Sequence, residues 1–523
     1  MWLYADVKSL GDIPRYYGKK NPNKTALIGA GRQVTFGELD QTSSRVASLL
    51  EKRGIPVGAH IGYFGKNSIE YFEVLFGVAK AGCAILPLNW RLSPVELQVV
   101  IDDAELKLVF VDREYREAME QLRQKCQAPF EIIELDSTAA GPTQYRDLLA
   151  LESGEDPRRV FDDRSTALLM YTSGTTGKPK GVQITHDGLN MLRLCEHLEP
   201  SYTWHDDDIM IFVMPNFHLV GTALSIQALY NGVTLTILPT ADMAQLLNVI
   251  TRDRPTICCL VPTAIQMLLD HPDAAKTDFS SLRMVWYAGS SIGLNLLKRA
   301  ISEMKCKFMQ FYGSTEASGQ VTLLRPEQHD LTDEKKLKSC GSPLPLMEIK
   351  IVDENNQPVP DGSIGEFLMR SPGLFRGYWK QPQATAAALT ADGWYRTGDA
   401  GFRDAEGLYY IVDRVKDMII SGGENIYSTE VEQALVRHPA VSQVAVVGLP
   451  DEHWGERVAA VVVLAAGQAA TAEELIAHCR TQIASYKAPK TIIFRTALPV
   501  TPSGKVLKTA LRTEYAAPTT AKA

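Results

Sequence analysis

The sequence predicts an α/β protein: a large N-terminal domain of helix-covered sheets with a β-rich subdomain, followed by a small C-terminal α+β domain. Three observations predict it. Apolar strand-like runs alternate with helical patterns from about Thr25 onward, the arrangement that builds parallel sheets covered by helices. Between about Lys350 and Tyr410 the texture changes to short strands and tight turns. The last hundred-odd residues return to a compact strand–helix pattern. With 523 residues, 45% of them hydrophobic and 22% charged, the chain has core material for more than one domain.

Taken in order, TALIG and HIGYFG read as strands, and TFGELDQTSSRVASLLEKRG reads as a helix stopped by Gly54. SIEYFEVLFGVAKAG is a second helix, stopped by Gly82, and CAILPLN is strand-like. LSPVELQVVIDDA opens a helix with Ser93 as its cap ahead of Pro94, and LKLVFVD is a buried strand. The polar stretch ending near Arg159 reads as a surface connection. Strands resume with TALLMYTSGTTG and continue through DIMIFVMP, GVTLTILP, ICCLVP and MVWYAGSS. In the β-rich region the DG, EG and NNQP turns predict hairpins. At the C-terminal end STEVEQALVRHP and TAEELIAHCRTQIA are helical, and VSQVAVVGLP and RVAAVVVLA are strands.

Composition excludes several functions. Lys plus Arg is 54 against 61 Asp plus Glu, a net charge of −7, which argues against a general nucleic-acid binder. The eight cysteines form no C-x-x-C pair, so neither a zinc site nor a disulfide framework is predicted, and reduced thiols in a cytoplasmic protein are the simpler reading. The N-terminal residues lack the pattern of a signal peptide, and no apolar run reaches the eighteen residues of a membrane span.

The string YTSGTTGKPKGV (171–182) carries the densest chemistry. Gly174 and Gly177 permit close backbone approach, while Thr172, Ser173, Thr175 and Thr176 supply hydroxyls and Lys178 and Lys180 supply positive charge. Launched from a strand, such a loop suits a polyphosphate better than a plain surface turn. It is not a Walker A loop: the glycines are three apart, and Lys178 is followed by Pro179 instead of Ser or Thr.

The string resembles the phosphate loop of the adenylate-forming enzymes: acyl-CoA synthetases, peptide-synthetase adenylation domains and firefly luciferase. Later strings resemble the same family's motifs, in the same order: YGSTE (312–316), YRTGD (395–399), DRVKDMIISGGENIY (413–427) and PSGKVLK (502–508). The resemblance covers about residues 20 to 510 and is closest to the aryl- and fatty-acid–CoA ligases, including 4-coumarate and feruloyl-CoA ligases. It implies a two-step reaction. A carboxylate attacks the α-phosphate of ATP and pyrophosphate leaves; a thiol then attacks the acyl adenylate and AMP leaves.

Roles follow by resemblance. The 172–180 loop would hold the β- and γ-phosphates, Glu316 would ligate Mg²⁺, and Thr315 would contact the α-phosphate region. Tyr312 and Gly313 would lie at the adenine, with Gly289, Ser290 and Ser291 lining the nucleotide pocket. Asp399 would accept from both ribose hydroxyls, assisted by Arg414. Lys505 would reach the reacting carboxylate and the bridging oxygen. Lys416 matches the family's hinge, dividing a large domain (1–415) from a small mobile one (416–523). His218 would gate the thiol channel beside the acyl carboxylate.

The resemblance implies coenzyme A as the thiol, with Ser421, Gly422, Gly423, Arg91 and Trp454 on its path; a side chain at 423 should block the thiol more than adenylation. The acyl pocket would be lined by Asn216, Phe217, Gly221, Thr222, Ser314 and Gly319, and the small residues among these imply depth. A hydroxycinnamate such as ferulate or coumarate fits, with Asn216, Ser290 and Ser291 near ring hydroxyls; a medium- or long-chain fatty acid is the alternative. A non-CoA adenylating enzyme would share every nucleotide motif. A non-catalytic nucleotide sensor should have lost Glu316 or Lys505, and both are present. A monomer or homodimer is expected.

Overall fold

The computed structural model describes residues 6–136, 143–172, 179–421, 424–451, 454–500 and 506–516, without the side chains of Lys416, Glu424 and Asn425. The chain forms two compact units, one of residues 1–349 and 369–395, the other of 350–368 and 396–523. By packing, then, most of the β-rich segment groups with the C-terminal residues.

The first unit contains two sheets. In one, Thr166–Thr172, Ala84–Pro87, His60–Phe64, Leu108–Asp112 and Glu131–Leu135 run parallel in that order. Lys180–Thr185 and then Gly377–Tyr378 add to its edge antiparallel. The other has nine strands, with Thr234–Ile237, Ile209–Phe212, Ile257–Leu260, Met284–Tyr287 and Lys307–Ser314 parallel in its middle. Helix Ile69–Lys80 packs on strands of both sheets, and all of its residues are buried. That is why its sequence is apolar nearly all round. Its one lysine, Lys80, is tied to the Asp40 carboxylate (2.5 Å) and to Ser44 (2.9 Å).

The helix boundaries follow local chemistry. Thr35 and Ser93 each form a capping box, with Glu38 and Glu96, that starts helices Phe36–Lys52 and Pro94–Ala104. Gly54 (φ 67°) and Gly82 (φ 68°) supply the left-handed residues that stop their helices. The polar stretch before Arg159 departs from the surface connection expected. It contains helix Gln144–Ala150, whose fully buried Tyr145 donates to Glu73 (2.9 Å) while Arg146 bonds Glu70 and Glu73. Those partners lie about seventy residues away, so no local pattern signals them.

In the second unit Glu348–Val352, Gly365–Arg370, Tyr395–Arg403 and Tyr409–Arg414 make a four-stranded sheet. Its turns are the predicted ones, with Asn356, Gly362 and Gly407 at positive φ. A second sheet pairs Val441–Asp451 with Gly455–Leu464, flanked by Ile419–Ser421 and Thr491–Phe494. Helices Ser428–Val436 and Ala472–Gln482 contribute to its buried core.

Candidate active site

Most of the candidate residues of the first unit stand at the C-terminal ends of its parallel strands, where open α/β sheets place their ligands. Thr172 ends one strand, Asn216–His218 and 288–291 follow two others, and Tyr312–Ser314 close a fourth. The ends of the two sheets meet. Asn67, beyond His60–Phe64 of one sheet, donates to the carbonyls of Met214 (3.0 Å) and Leu238 (3.1 Å) on the other and accepts from Asn216 N (2.9 Å). Asn216 returns a hydrogen bond to the Gly65 carbonyl (3.0 Å).

Of the phosphate loop, Ser173, Gly174, Thr175, Thr176, Gly177 and Lys178 lie outside the described residues. The flanking strands define its class. Thr172 pairs with Lys180 and Tyr171 with Gly181, so the loop joins two antiparallel strands. A Walker A loop leads into a helix; here the strand Lys180–Thr185 follows instead.

Past that loop, three side chains line up. The Lys180 ammonium lies 4.7 Å from the ring centre of Tyr378, and the Tyr378 hydroxyl donates to Glu316 Oε1 (2.9 Å). The Gly377–Tyr378 strand reaches this point by pairing with Val182 and Gln183, and Phe375 N donates to the Glu316 carbonyl (2.8 Å). Burial, and next to it the Glu316 carboxylate, pushes the Tyr378 hydroxyl well above the ordinary tyrosine range, so it remains a donor. Tyr378 is not among the candidates read from the sequence, since its approach to Glu316 depends on a long-range strand pairing.

Glu316 and Thr315 sit half-buried on the turn between strands Lys307–Ser314 and Gly319–Leu324. Gly313 permits the close pairing there, since a Cβ would lie 2.0 Å from the Gly319 carbonyl oxygen. Ser314 Oγ accepts from Ala317 N (3.2 Å) and stabilises the turn. Tyr312 is half-buried, whereas Gly289 (φ 88°), Ser290 and Ser291 are exposed.

His218 precedes helix Leu219–Tyr230, its ring centre 4.7 Å from that of Phe217. Arg91 lies over both Trp90 (4.8 Å) and Phe217 (5.7 Å), so the candidate CoA contact and the candidate gate share an aromatic neighbour. Thr222 donates to the Asn216 carbonyl (2.7 Å) and bonds Tyr71 (2.6 Å), with no exposed surface. Asn216 and Thr222 therefore anchor the loop that carries Phe217 and His218. Gly221 is small because a Cβ there would meet the carbonyl oxygens of Pro215 (2.6 Å) and Met214 (2.7 Å). Scaffold packing thus accounts for its size. Gly319, at φ 151°, faces Leu192.

In the second unit Asp399 and Arg414 are cross-strand partners joined at 2.8 Å, and Asp399 N donates to Thr397 Oγ1 (2.9 Å). Lys416 is in the turn Val415–Asp417, and Asp417 pairs with Arg512 (2.7 Å). Ser421 is buried and pairs with Gly455, while Trp454 is exposed with Lys490 over its ring (5.8 Å). Gly422, Gly423 and Lys505 lie outside the described residues.

The order of these strings along the chain is that of the adenylate-forming enzymes, and comparison with known proteins shows that class. A family model described as AMP-binding enzyme matches residues 15–379, and that of the AMP-binding enzyme C-terminal domain matches 430–505. The chain belongs to this family and to its acid–CoA ligase branch. It is 34% identical to the fatty acid–[acyl-carrier-protein] ligase ScoC of Streptomyces coeruleorubidus, over 98% of this chain and 97% of that protein. It is 34% identical to a feruloyl-CoA synthase of an Amycolatopsis species, over 97% and 99%. Among solved structures, ATP-bound MatB from Rhodopseudomonas palustris superimposes with a TM-score of 0.88 at 29% identity, covering 97% of this chain and 99% of that one. Among the described residues no helix is long and apolar enough to cross a membrane.

Proposed function

We propose that the protein joins a hydroxycinnamate, such as ferulate or coumarate, to coenzyme A through an acyl adenylate. The observation that carries the nucleotide half of this reading is the Lys180–Tyr378–Glu316 line beside the phosphate loop. It brings a cation and a hydrogen-bonded carboxylate together beside the strands that flank the loop, which supports a grip on pyrophosphate there. Among the described residues no group of three or more His, Cys, Asp or Glu gathers to cage a metal. One carboxylate suits a hard cation that arrives on phosphates and needs few protein ligands, so Glu316 fits Mg²⁺. Bound there, the ion neutralises phosphate charge.

The chain's own residues do the rest. The 172–180 loop grips the β- and γ-phosphates, Thr315 contacts the α-phosphate, and Asp399 accepts from the ribose hydroxyls with Arg414 orienting its carboxylate. Tyr312, Gly313, Gly289, Ser290 and Ser291 bound the nucleotide. Lys505 stabilises the charge that develops as the acid oxygen attacks phosphorus and pyrophosphate departs. Residues 416–523 act as the small domain with Lys416 as its hinge. His218 then opens the thiol path, with Arg91, Trp454, Ser421, Gly422 and Gly423 serving coenzyme A. The thiol sulfur attacks the acyl carbonyl, its proton leaves, and AMP departs.

The test is a panel of acids of increasing length and aromaticity, assayed for AMP with and without coenzyme A. Acid-dependent AMP and an acyl thioester are expected, with hydroxycinnamates fastest. ADP as product, or turnover of the adenylate indifferent to coenzyme A, would sink the reading.

A further inference from the structure

Behind the acyl-pocket residues lies a set of polar side chains that the reaction above does not use. Arg193 and Glu196 on helix His186–His197, Gln227 on helix Leu219–Tyr230 and Gln320 on strand Gly319–Leu324 are each 5% exposed or less. Two contacts join them to the acyl side. Leu192, next to Arg193, is what a Cβ on Gly319 would touch, and Arg193 Nη1 donates to the Ala223 carbonyl (3.4 Å), one residue beyond Thr222.

The set is bonded only in part. Gln320 Nε2 donates to Glu196 and to the Tyr202 hydroxyl (3.0 Å). Arg193 Nη2 stands 2.6 Å from Glu196 but off the line a hydrogen bond needs. Gln227 faces Glu196 and Tyr202, yet neither of its carboxamide atoms is in hydrogen-bonding geometry. Arg193 Nε and Trp286 Nε1 also lack partners. The aromatic side is equally definite: Trp286 packs against Tyr202 (5.8 Å), Trp204 (5.5 Å) and Phe311 (5.2 Å).

A buried polar group left unpaired costs about 1–3 kcal/mol, and native interiors keep few of them. Concentrating several in one aromatic layer makes sense if something polar completes it. An alkyl tail ending here would leave every one of these atoms unpaired. An aromatic ring with a hydroxyl would pack on Trp286 and Phe311 and could both donate to and accept from the Gln227 carboxamide.

We propose that Gln227, backed by Arg193, Glu196 and Gln320, forms the polar end of the acyl pocket and selects aryl acids bearing a hydroxyl far from the carboxylate. This rests on the acid–CoA ligase reading above and names the residues that set its specificity. None of the four lies among the acyl-pocket residues expected from the sequence. Burial pushes the Glu196 carboxyl up to about 7 against the opposing effect of Arg193.

The test compares 3- and 4-hydroxycinnamate, cinnamate and decanoate as substrates of the full-length enzyme, by kcat/KM for AMP formation with coenzyme A. Wild type should prefer a hydroxycinnamate to cinnamate by about 100-fold or more, because a site built to bond a hydroxyl rejects the analogue lacking it. Gln227→Leu should bring that ratio to within about 5-fold while leaving kcat/KM for cinnamate unchanged or raised. Gln227→Met serves if the leucine variant does not fold. Thermal upshift by non-hydrolysable hydroxycinnamoyl- and cinnamoyl-AMP analogues gives the same comparison without turnover. Equal use of cinnamate and hydroxycinnamates by wild type, or an equal loss for both in the variants, would overturn the proposal and leave the set as scaffold. Turnover of decanoate alone would overturn it while sparing the ligase reading; no AMP from any acid would remove both.

Discussion

Glu316 is half-buried on a turn, one carboxylate oxygen already accepting from Tyr378. Gln227 is fully buried in the middle of an apolar helix, and neither of its carboxamide atoms is bonded. Both are polar groups in the first unit, and they are prepared in opposite ways. On the proposed reading the carboxylate serves the nucleotide, which every acid substrate shares, and a protein donor already holds it. The carboxamide, on the further proposal, would distinguish one acid from another, with the substrate completing its bonding. Catalytic groups gain from being fixed before the reaction. A specificity group gains from being left with a cost that the right ligand alone removes.

The first way to break the comparison is to delete a nucleotide-side charge. Lys505→Ala should abolish adenylation, a loss of about 10³-fold or more in acid-dependent pyrophosphate exchange. Thioester formation from supplied acyl adenylate should be largely spared. An equal fall in both half-reactions would mean that Lys505 does not act in the first step alone.

Asp399→Asn comes next. The cross-strand pair with Arg414 (2.8 Å) orients the carboxylate proposed to accept from two ribose hydroxyls, and an amide cannot accept at both positions. ATP affinity should fall by about 10- to 100-fold, the worth of one charge-assisted hydrogen bond. Selectivity among acids should not move. A change in the hydroxycinnamate-to-cinnamate ratio would show that the two functions are not separable.

The contrast also explains what could be read from the sequence. Nucleotide residues cluster in contiguous strings because a turn at a strand end presents neighbours in sequence as neighbours in space. YGSTE runs from a strand end into the turn that carries Glu316, and YRTGD opens the strand Tyr395–Arg403. Helix starts at Thr35 and Ser93 are legible for the same reason, their capping partners lying three residues on. Tyr378 was not legible, because it reaches Glu316 through the pairing of Gly377–Tyr378 with a strand about two hundred residues earlier. Gln227 looks like a polar lapse in an apolar helix until Glu196 and Tyr202 are brought beside it. Gly221 carries the opposite signal: its small size implies a pocket, but a Cβ there would meet the backbone carbonyl oxygens of Pro215 and Met214.

A smaller effect is expected at Tyr378. Tyr378→Phe removes the donor to Glu316 and keeps the ring under Lys180. The adenylation rate should fall about 10-fold, in keeping with one hydrogen bond to a charged group. The Mg²⁺ concentration for half-maximal rate should rise, a response that loss of packing alone would not give. An unchanged Mg²⁺ response would reduce Tyr378 to a strand residue that happens to touch the carboxylate.

The smallest effect separates depth from packing at Gly221. If its smallness served a deep pocket, Gly221→Ala would shorten the longest acid accepted and leave the fold undisturbed. The geometry argues otherwise, since the added methyl would meet two carbonyl oxygens within 2.7 Å, both belonging to backbone that cannot rotate away. The loop carrying Phe217 and His218 would have to shift, and Asn67 and Tyr71 hold it in place. A cost of about 1–3 kcal/mol is expected, the usual penalty of overpacking. It should appear as a lowered melting temperature with the acid-length profile intact. Thioester formation should slow more than adenylation, because the displaced residue next to the helix is His218. A shortened profile at unchanged melting temperature would return Gly221 to the pocket wall, six residues ahead of Gln227 on the same helix.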